Sequence, residues 1–168
     1  RGERSFTPGW QSYQQAASYC ADKNIDLEEG LKWADQAITD QFVGEANFIT
    51  LSTKADLLSK LGRGNEADSI MQKALAMGNM QQIHQYGRQL MAQKKNKEAL
   101  DVFKINYQKN PNQFTTLMGL TRGYSGTGDF KNALKYATIA LPLAPNQQIK
   151  TTLETMIGKL KEGKDINQ

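Results

Sequence analysis

Residues 114–145 read FTTLMGLTRGYSGTGDFKNALKYATIALPLAP: two apolar runs with helical spacing, joined by Gly126-Thr127-Gly128. In the first run Leu117, Leu120, Thr121 and Tyr124 fall at i, i+3, i+4 and i+7, one stripe of an amphipathic helix. Gly126 and Gly128 stop it, because glycine enters the left-handed conformation that ends many helices without a Cβ clash. Asp129 follows as a cap whose carboxylate accepts from the free amides of the next helix. That helix carries Ala133, Ala137 and Ala140 on one face, short enough for two helices to approach closely, and Pro145 is expected to end the unit. The stretch is a helical hairpin.

Upstream, the pattern recurs. Counting back 34 residues from Ala133 gives Ala99, and from Pro145 gives Pro111, while Pro145-Asn146-Gln147 repeats Pro111-Asn112-Gln113. In this preceding unit, from Met80 to Pro111, the matching positions are Ile83, Tyr86, Gly87 and Leu90, then Ala99 and Phe103. Lys94 stands where the turn glycine belongs and Asn106 where a small alanine belongs, so a looser hairpin or an internal polar contact is expected. One unit further back, from Phe48, the matches are Leu51, Ala55, Leu58, Gly62, Ala67, Met71 and Ala74, with a spacing of 32 between Ala67 and Ala99.

The period, the turn glycines, the alanines and the closing proline resemble the tetratricopeptide repeat (TPR), a helix–turn–helix of 34 residues. The resemblance implies an all-α fold, a right-handed α-solenoid of about four hairpins plus a C-terminal capping helix. The first unit is divergent. Tyr13, Ala16, Ala17 and Cys20 repeat at helical spacing from Trp10, and Asp26 with Glu29 has capping-box spacing before Gly30, Trp33, Ala34 and Ala37. A longer loop is expected over 40–45. Ile149, Leu153, Met156, Ile157 and Leu160 form the single apolar stripe that an end cap of a stack needs. Residues 1–9, with Thr7-Pro8 as a helix start, are expected to be a linker or the tail of an upstream domain, residues 10–162 the repeat domain, and residues 163–168 a frayed tail.

The chain has 168 residues, 39% of them apolar, and a formal charge of +4 spread rather than blocked, which is no nucleic-acid footprint. No apolar run reaches the roughly 18 residues of a membrane span. A single cysteine, Cys20, rules out an internal disulfide and reads as a small buried hydrophobe. One histidine, His84, and one cysteine in different units give no zinc tetrad and no Cys–His pair, and the glycines at 119, 123, 126 and 128 follow no strand. Glu28-Glu29 sits at a helix start, where the dipole explains it. No enzyme, cofactor or metal site is expected.

What remains is a surface. The TPR resemblance implies that the second, fifth, ninth and twelfth positions of each unit line a concave groove. These are Ser12, Gln15, Tyr19 and Lys23; Ile49, Ser52, Asp56 and Ser59; Gln81, His84, Arg88 and Met91; and Thr115, Met118, Arg122 and Ser125. The candidate peptide-binding residues are His84, Arg88, Met91, Met118, Arg122 and Asp56. Arg88 and Arg122 are equivalent positions of successive units, expected close together, with two guanidinium forks for a carboxylate and methionines for an apolar side chain. The alternative is that both arginines are solvated or paired with a neighbouring acid. The chaperone-tail clamp of some TPR proteins needs Lys and Asn where this chain has Ser52 and Asp56, or Gln15 and Tyr19, so that ligand is not expected.

Trp10, Trp33, Phe48, Phe103, Tyr107 and Tyr124 follow helical spacing and are expected in the core. The segments WQSYQQAASYC and LEEGLKWADQAI resemble the C-terminal helical region of a family of exported bacterial proteins with an upstream domain of unknown function. That resemblance implies an extracytoplasmic location and a missing N-terminal domain, in keeping with a sequence that opens on Arg1. The expected function is a non-catalytic scaffold that binds a protein or peptide in the groove. The other reading is a structural module packing against an upstream domain of the same chain or against a second copy.

Overall fold

A computed structural model describes residues 9–168, so the expected linker and the Thr7-Pro8 helix start lie, Gly9 apart, outside the described residues. The helices are α1 Trp10–Lys23, α2 Leu27–Thr39, α3 Phe48–Lys60, α4 Gly64–Met77, α5 Met80–Ala92, α6 Asn96–Lys109, α7 Phe114–Gly126, α8 Phe130–Ala140 and α9 Gln147–Lys161, with a 3-10 turn at Leu141–Leu143 and no strand among the described residues. Four helical hairpins followed by a ninth helix make an all-α repeat fold. The chain divides into two compact units, one ending at Gly78 and the other beginning at Asn79.

The hairpin turns of α3–α4, α5–α6 and α7–α8 share one geometry. Gly62, Lys94 and Gly128 all have positive φ, at 79°, 64° and 83°. Each turn is closed by the same pair of amide-to-carbonyl bonds, such as Lys94 N to Met91 O at 2.9 Å with Lys95 N to Leu90 O at 2.9 Å, and Gly128 N to Ser125 O at 3.0 Å with Asp129 N to Tyr124 O at 2.9 Å. The lysine therefore does not loosen its hairpin; it adopts the glycine conformation, at a steric cost glycine does not have.

In the first unit Ala17, Cys20, Ala21, Leu31, Ala34, Leu57, Leu58 and Ala67 form the core. Gly30 replaces the expected alanine because a Cβ there would come within 2.6 Å of Cys20 Cβ and 3.1 Å of Leu57 Cδ2. The capping box expected at Asp26 does not form: Asp26 has a left-handed backbone and its side chain makes no cap bond. Capping boxes form instead at Asn47 with Thr50 and at Asn79 with Gln82. The longer loop after α2 is held by Asp40, whose Oδ1 accepts from Phe42 N at 2.9 Å and Val43 N at 3.1 Å. Trp33 corrects the expectation of a core aromatic: it stacks on Tyr13 with ring centroids 6.0 Å apart and remains 36% exposed.

In the second unit the buried ring of Phe103 on α6 meets glycines of two other helices. A Cβ on Gly119 would lie 2.7 Å from Phe103 Cδ1 and one on Gly123 3.0 Å from Cδ2, while one on Gly87 would run into Cε1. Asn106 makes the expected internal polar contact: it is fully buried, donates to Met80 O at 3.0 Å and accepts from Asn110 Nδ2 at 3.0 Å. Ala133, Ala137 and Ala140 are fully buried on α8, and the Asp129 cap accepts from Asn132 N at 3.1 Å. The helix ends at Ala140, ahead of Pro145, because the 3-10 turn holding Pro142 takes over. Asn146 then caps α9, accepting from Ile149 N at 2.9 Å. Leu153 and Leu160 of α9 are buried in a cluster with Leu117, Met118, Ala137 and Ile166.

These contacts set two opposite glycine substitutions against each other. Gly87→Ala, which forces a methyl into the Phe103 ring, should lower stability by about 1–3 kcal/mol in urea unfolding. Lys94→Gly, which relieves a left-handed lysine, should raise stability by roughly 0.5–1 kcal/mol, the steric relief outweighing glycine's greater freedom when unfolded.

Candidate functional site

The candidate residues of the second unit sit on two neighbouring helices. His84, Arg88 and Met91 follow i, i+4, i+7 along α5, and Met118, Arg122 and Ser125 do the same along α7, so each set shares a helix face. Arg88 and Arg122 line one cavity of about 440 Å³, together with Met91, Asp165, Ile166 and Asn167. Among the described residues no ion pair engages either arginine; the carboxylates that pair do so with Lys32, Lys54, Lys60, Arg63 and Lys164.

The electrostatics of the site follow from this pairing of like charges. Burial, and then the neighbouring Arg88, pull Arg122 below the ordinary arginine value. Burial chiefly, with Arg88 and Arg122 adding repulsion, lowers His84 to about 4, so the ring is neutral at neutral pH. Its Nδ1 is buried without a hydrogen-bond partner, and the ring lies 5.6 Å from that of Phe103. The recess brings Arg88, Lys94 and Arg122 together with Asp165 and the apolar side chains of Met91 and Ile166. No cluster of three or more metal-ligating side chains occurs among the described residues. No helix there is long and apolar enough to cross a membrane.

Three of the sequence-derived positions, His84, Met118 and Asp56, are not on the cavity wall. Met118 is only 9% exposed and belongs to the core cluster beneath α7, so Met91, half-buried, is the methionine on the cavity wall. Asp56 lies on α3 in the first unit, where Lys60 Nζ holds it at 2.9 Å and also donates to Ala21 O, so its charge is already matched. Reading the sequence as a repeat missed Asp165, Ile166 and Asn167. Instead of fraying, residues 165–167 lie against α7: Ser125 Oγ donates to Asp165 Oδ1 at 2.8 Å, Ile166 N donates to Ser125 Oγ at 2.9 Å and Ile166 is 7% exposed. The available signal was a lone isoleucine between two turn-forming residues in KDINQ.

No protein-family model matches the chain, and no curated protein matches it. Solved structures do. A Podospora anserina putative kinesin light chain with nearly identical TPR-like repeats is 12% identical, with 91% of this chain and 85% of that one covered and a TM-score of 0.54. A double mutant of MamA from strain RS-1 is 16% identical over 92% and 93%, with a TM-score of 0.50. MamA from residue 41 of Desulfovibrio magneticus RS-1 is 18% identical over 91% and 93%, with a TM-score of 0.48. The first two agree with the helix order above: the fold is a TPR-type helical repeat.

The single histidine gives a probe of the charge on the two neighbouring arginines. A titration followed by the His84 ring resonances should have its midpoint near 4 against the usual 6.5, and Arg88→Gln should raise it by removing one like charge. Because the folded value is depressed, the unfolded chain binds the proton first. The contribution to stability is full above about 6.5 and is lost as pH falls towards about 4, which thermal unfolding across that range should register.

Proposed function

We propose that the chain is a non-catalytic scaffold that binds an extended segment of a protein partner along the face formed by α5 and α7. An acidic side chain of the partner lies between Arg88 and Arg122, and an apolar one lies against Met91. The observation that carries this reading is the pair of arginines lining one cavity, neither of them in an ion pair among the described residues although Asp165 lines the same wall. Two like charges at one site repel each other, and an incoming carboxylate removes that repulsion while accepting up to two forked hydrogen bonds from a guanidinium. His84, neutral and partly buried, adds polarity without adding charge. Asp56 takes no part.

A second reading, a module that docks on an upstream domain or a second copy, is favoured by a different surface. Phe42 is 86% exposed at the tip of the loop that Asp40 pins, and Tyr19 and Trp33 are also exposed in that unit. A loss of self-association in sedimentation on Phe42→Ser would support it.

The first reading is tested by capturing partners from the source extract with wild-type chain and with the Arg88→Glu/Arg122→Glu double variant. A partner whose affinity falls about thirtyfold or more, with helicity by circular dichroism unchanged, is the expected result. A partner held equally by both chains would contradict it.

A further inference from the structure

The face assigned to a partner is already occupied along α7 by the chain itself. Ser125 donates to Asp165 Oδ1 at 2.8 Å and accepts from Ile166 N at 2.9 Å, and Asn167 Nδ2 donates to the Arg122 carbonyl at 3.0 Å. Ile166 is buried in the cluster that contains Met118. Met118, Arg122 and Ser125 are three of the four α7 positions expected to line the groove. The segment runs where an extended ligand would run.

We propose that residues 165–167 are an internal occupant of this groove, which a partner must displace. We further infer that the partner segment repeats their chemistry: an acidic side chain, a branched apolar one, then an amide. The inference rests on the reading that the α5–α7 face binds a partner. Three features of the tail fit an exchangeable occupant. It is anchored by one buried side chain, Ile166, and a few hydrogen bonds. It follows Gly163, whose φ of 71° marks a turn where the chain changes direction after α9. Asp165 also spends its carboxylate locally, since Oδ1 accepts from Asn167 N at 3.0 Å and Asn167 Nδ2 at 2.8 Å as well as from Ser125. The tail brings Asp165 to the cavity wall but leaves both guanidiniums without an ion pair among the described residues, and a partner that brings a further carboxylate gains an interaction the tail lacks.

Ser125 is suited to this exchange, because its hydroxyl both donates to an acid and accepts from the next backbone amide. That is a two-point contact for an acidic residue in an extended chain. The packing of α9 does not depend on the tail alone, since Leu153 and Leu160 are buried in a cluster that also holds Leu117, Ala133 and Ala137, and α9 is closed by the Gly163 turn.

The test uses the full chain and a fluorescent, end-blocked peptide of sequence EGKDINQ, the chain's own residues 162–168. Ile166→Ser, which removes the anchor, should bind the peptide at least tenfold more tightly than wild type, and adding Ser125→Ala to that variant should reverse the gain. Equal affinity for wild type and Ile166→Ser, or a gain indifferent to Ser125→Ala, overturns the proposal. Should Ile166→Ser lose helicity, Asp165→Lys releases the tail by a substitution at the surface and is read by the same criteria. A captured partner separates the two claims: one lost on Arg88→Glu/Arg122→Glu but bound equally by wild type and Ile166→Ser keeps the groove and removes the tail as its occupant.

Discussion

The ring of Phe103 fixes how closely three helices of the second unit approach. It lies against glycines of α5 and α7, where any Cβ would intrude, so the two helices can come to the ring only because Gly87, Gly119 and Gly123 have none. Truncating a buried phenylalanine costs about 3–5 kcal/mol in typical cores, which makes this contact a large share of a marginally stable unit. It also has a functional consequence. Arg88 follows Gly87 and Arg122 precedes Gly123, so the backbone that presents each guanidinium is pinned by the same ring. The separation of the two charges is thus a property of the core, and little side-chain reordering is needed beyond the arginines themselves when a ligand arrives.

The rest of the unit supports that arrangement through polar contacts where a simple repeat would have small apolar residues. Asn106 takes the place of an alanine and ties α6 to the first turn of α5 through Met80 O. Asn96 ties the start of α6 to the end of α7, donating to Gly126 O at 3.1 Å. Buried amides of this kind are costly when unpaired and specific when paired, so they set the relative positions of helices that alanines alone would let slide.

Much of this was legible in the residues. The 34-residue spacing, the glycine turns and the alanine faces gave the hairpins, since each depends on local geometry that the sequence spells out. Lys94 shows where this reading stops: its position predicted a defect, yet the two closing hydrogen bonds hold a lysine in the left-handed conformation. Of the candidate site, the equivalence of Arg88 and Arg122 followed from the repeat. Met118 did not, because a groove position on a helix flanked by α9 and the tail becomes core. The tail itself has no periodicity, so nothing local beyond its one apolar residue, Ile166, distinguishes a docked segment from a frayed one. Its place is set by Ser125, 40 residues away. Asp56 lies apart from these residues, in the first unit, where an i,i+4 lysine pairs with it within its own helix.

The central claim is that the face of α5 and α7 is where a partner is held. Hydrogen–deuterium exchange of the chain, free and bound to a partner recovered from its source, tests it most directly. Added protection over residues 84–92 and 118–126 is the result this account predicts. Protection confined to α6 and α8, or to the first unit, would contradict it.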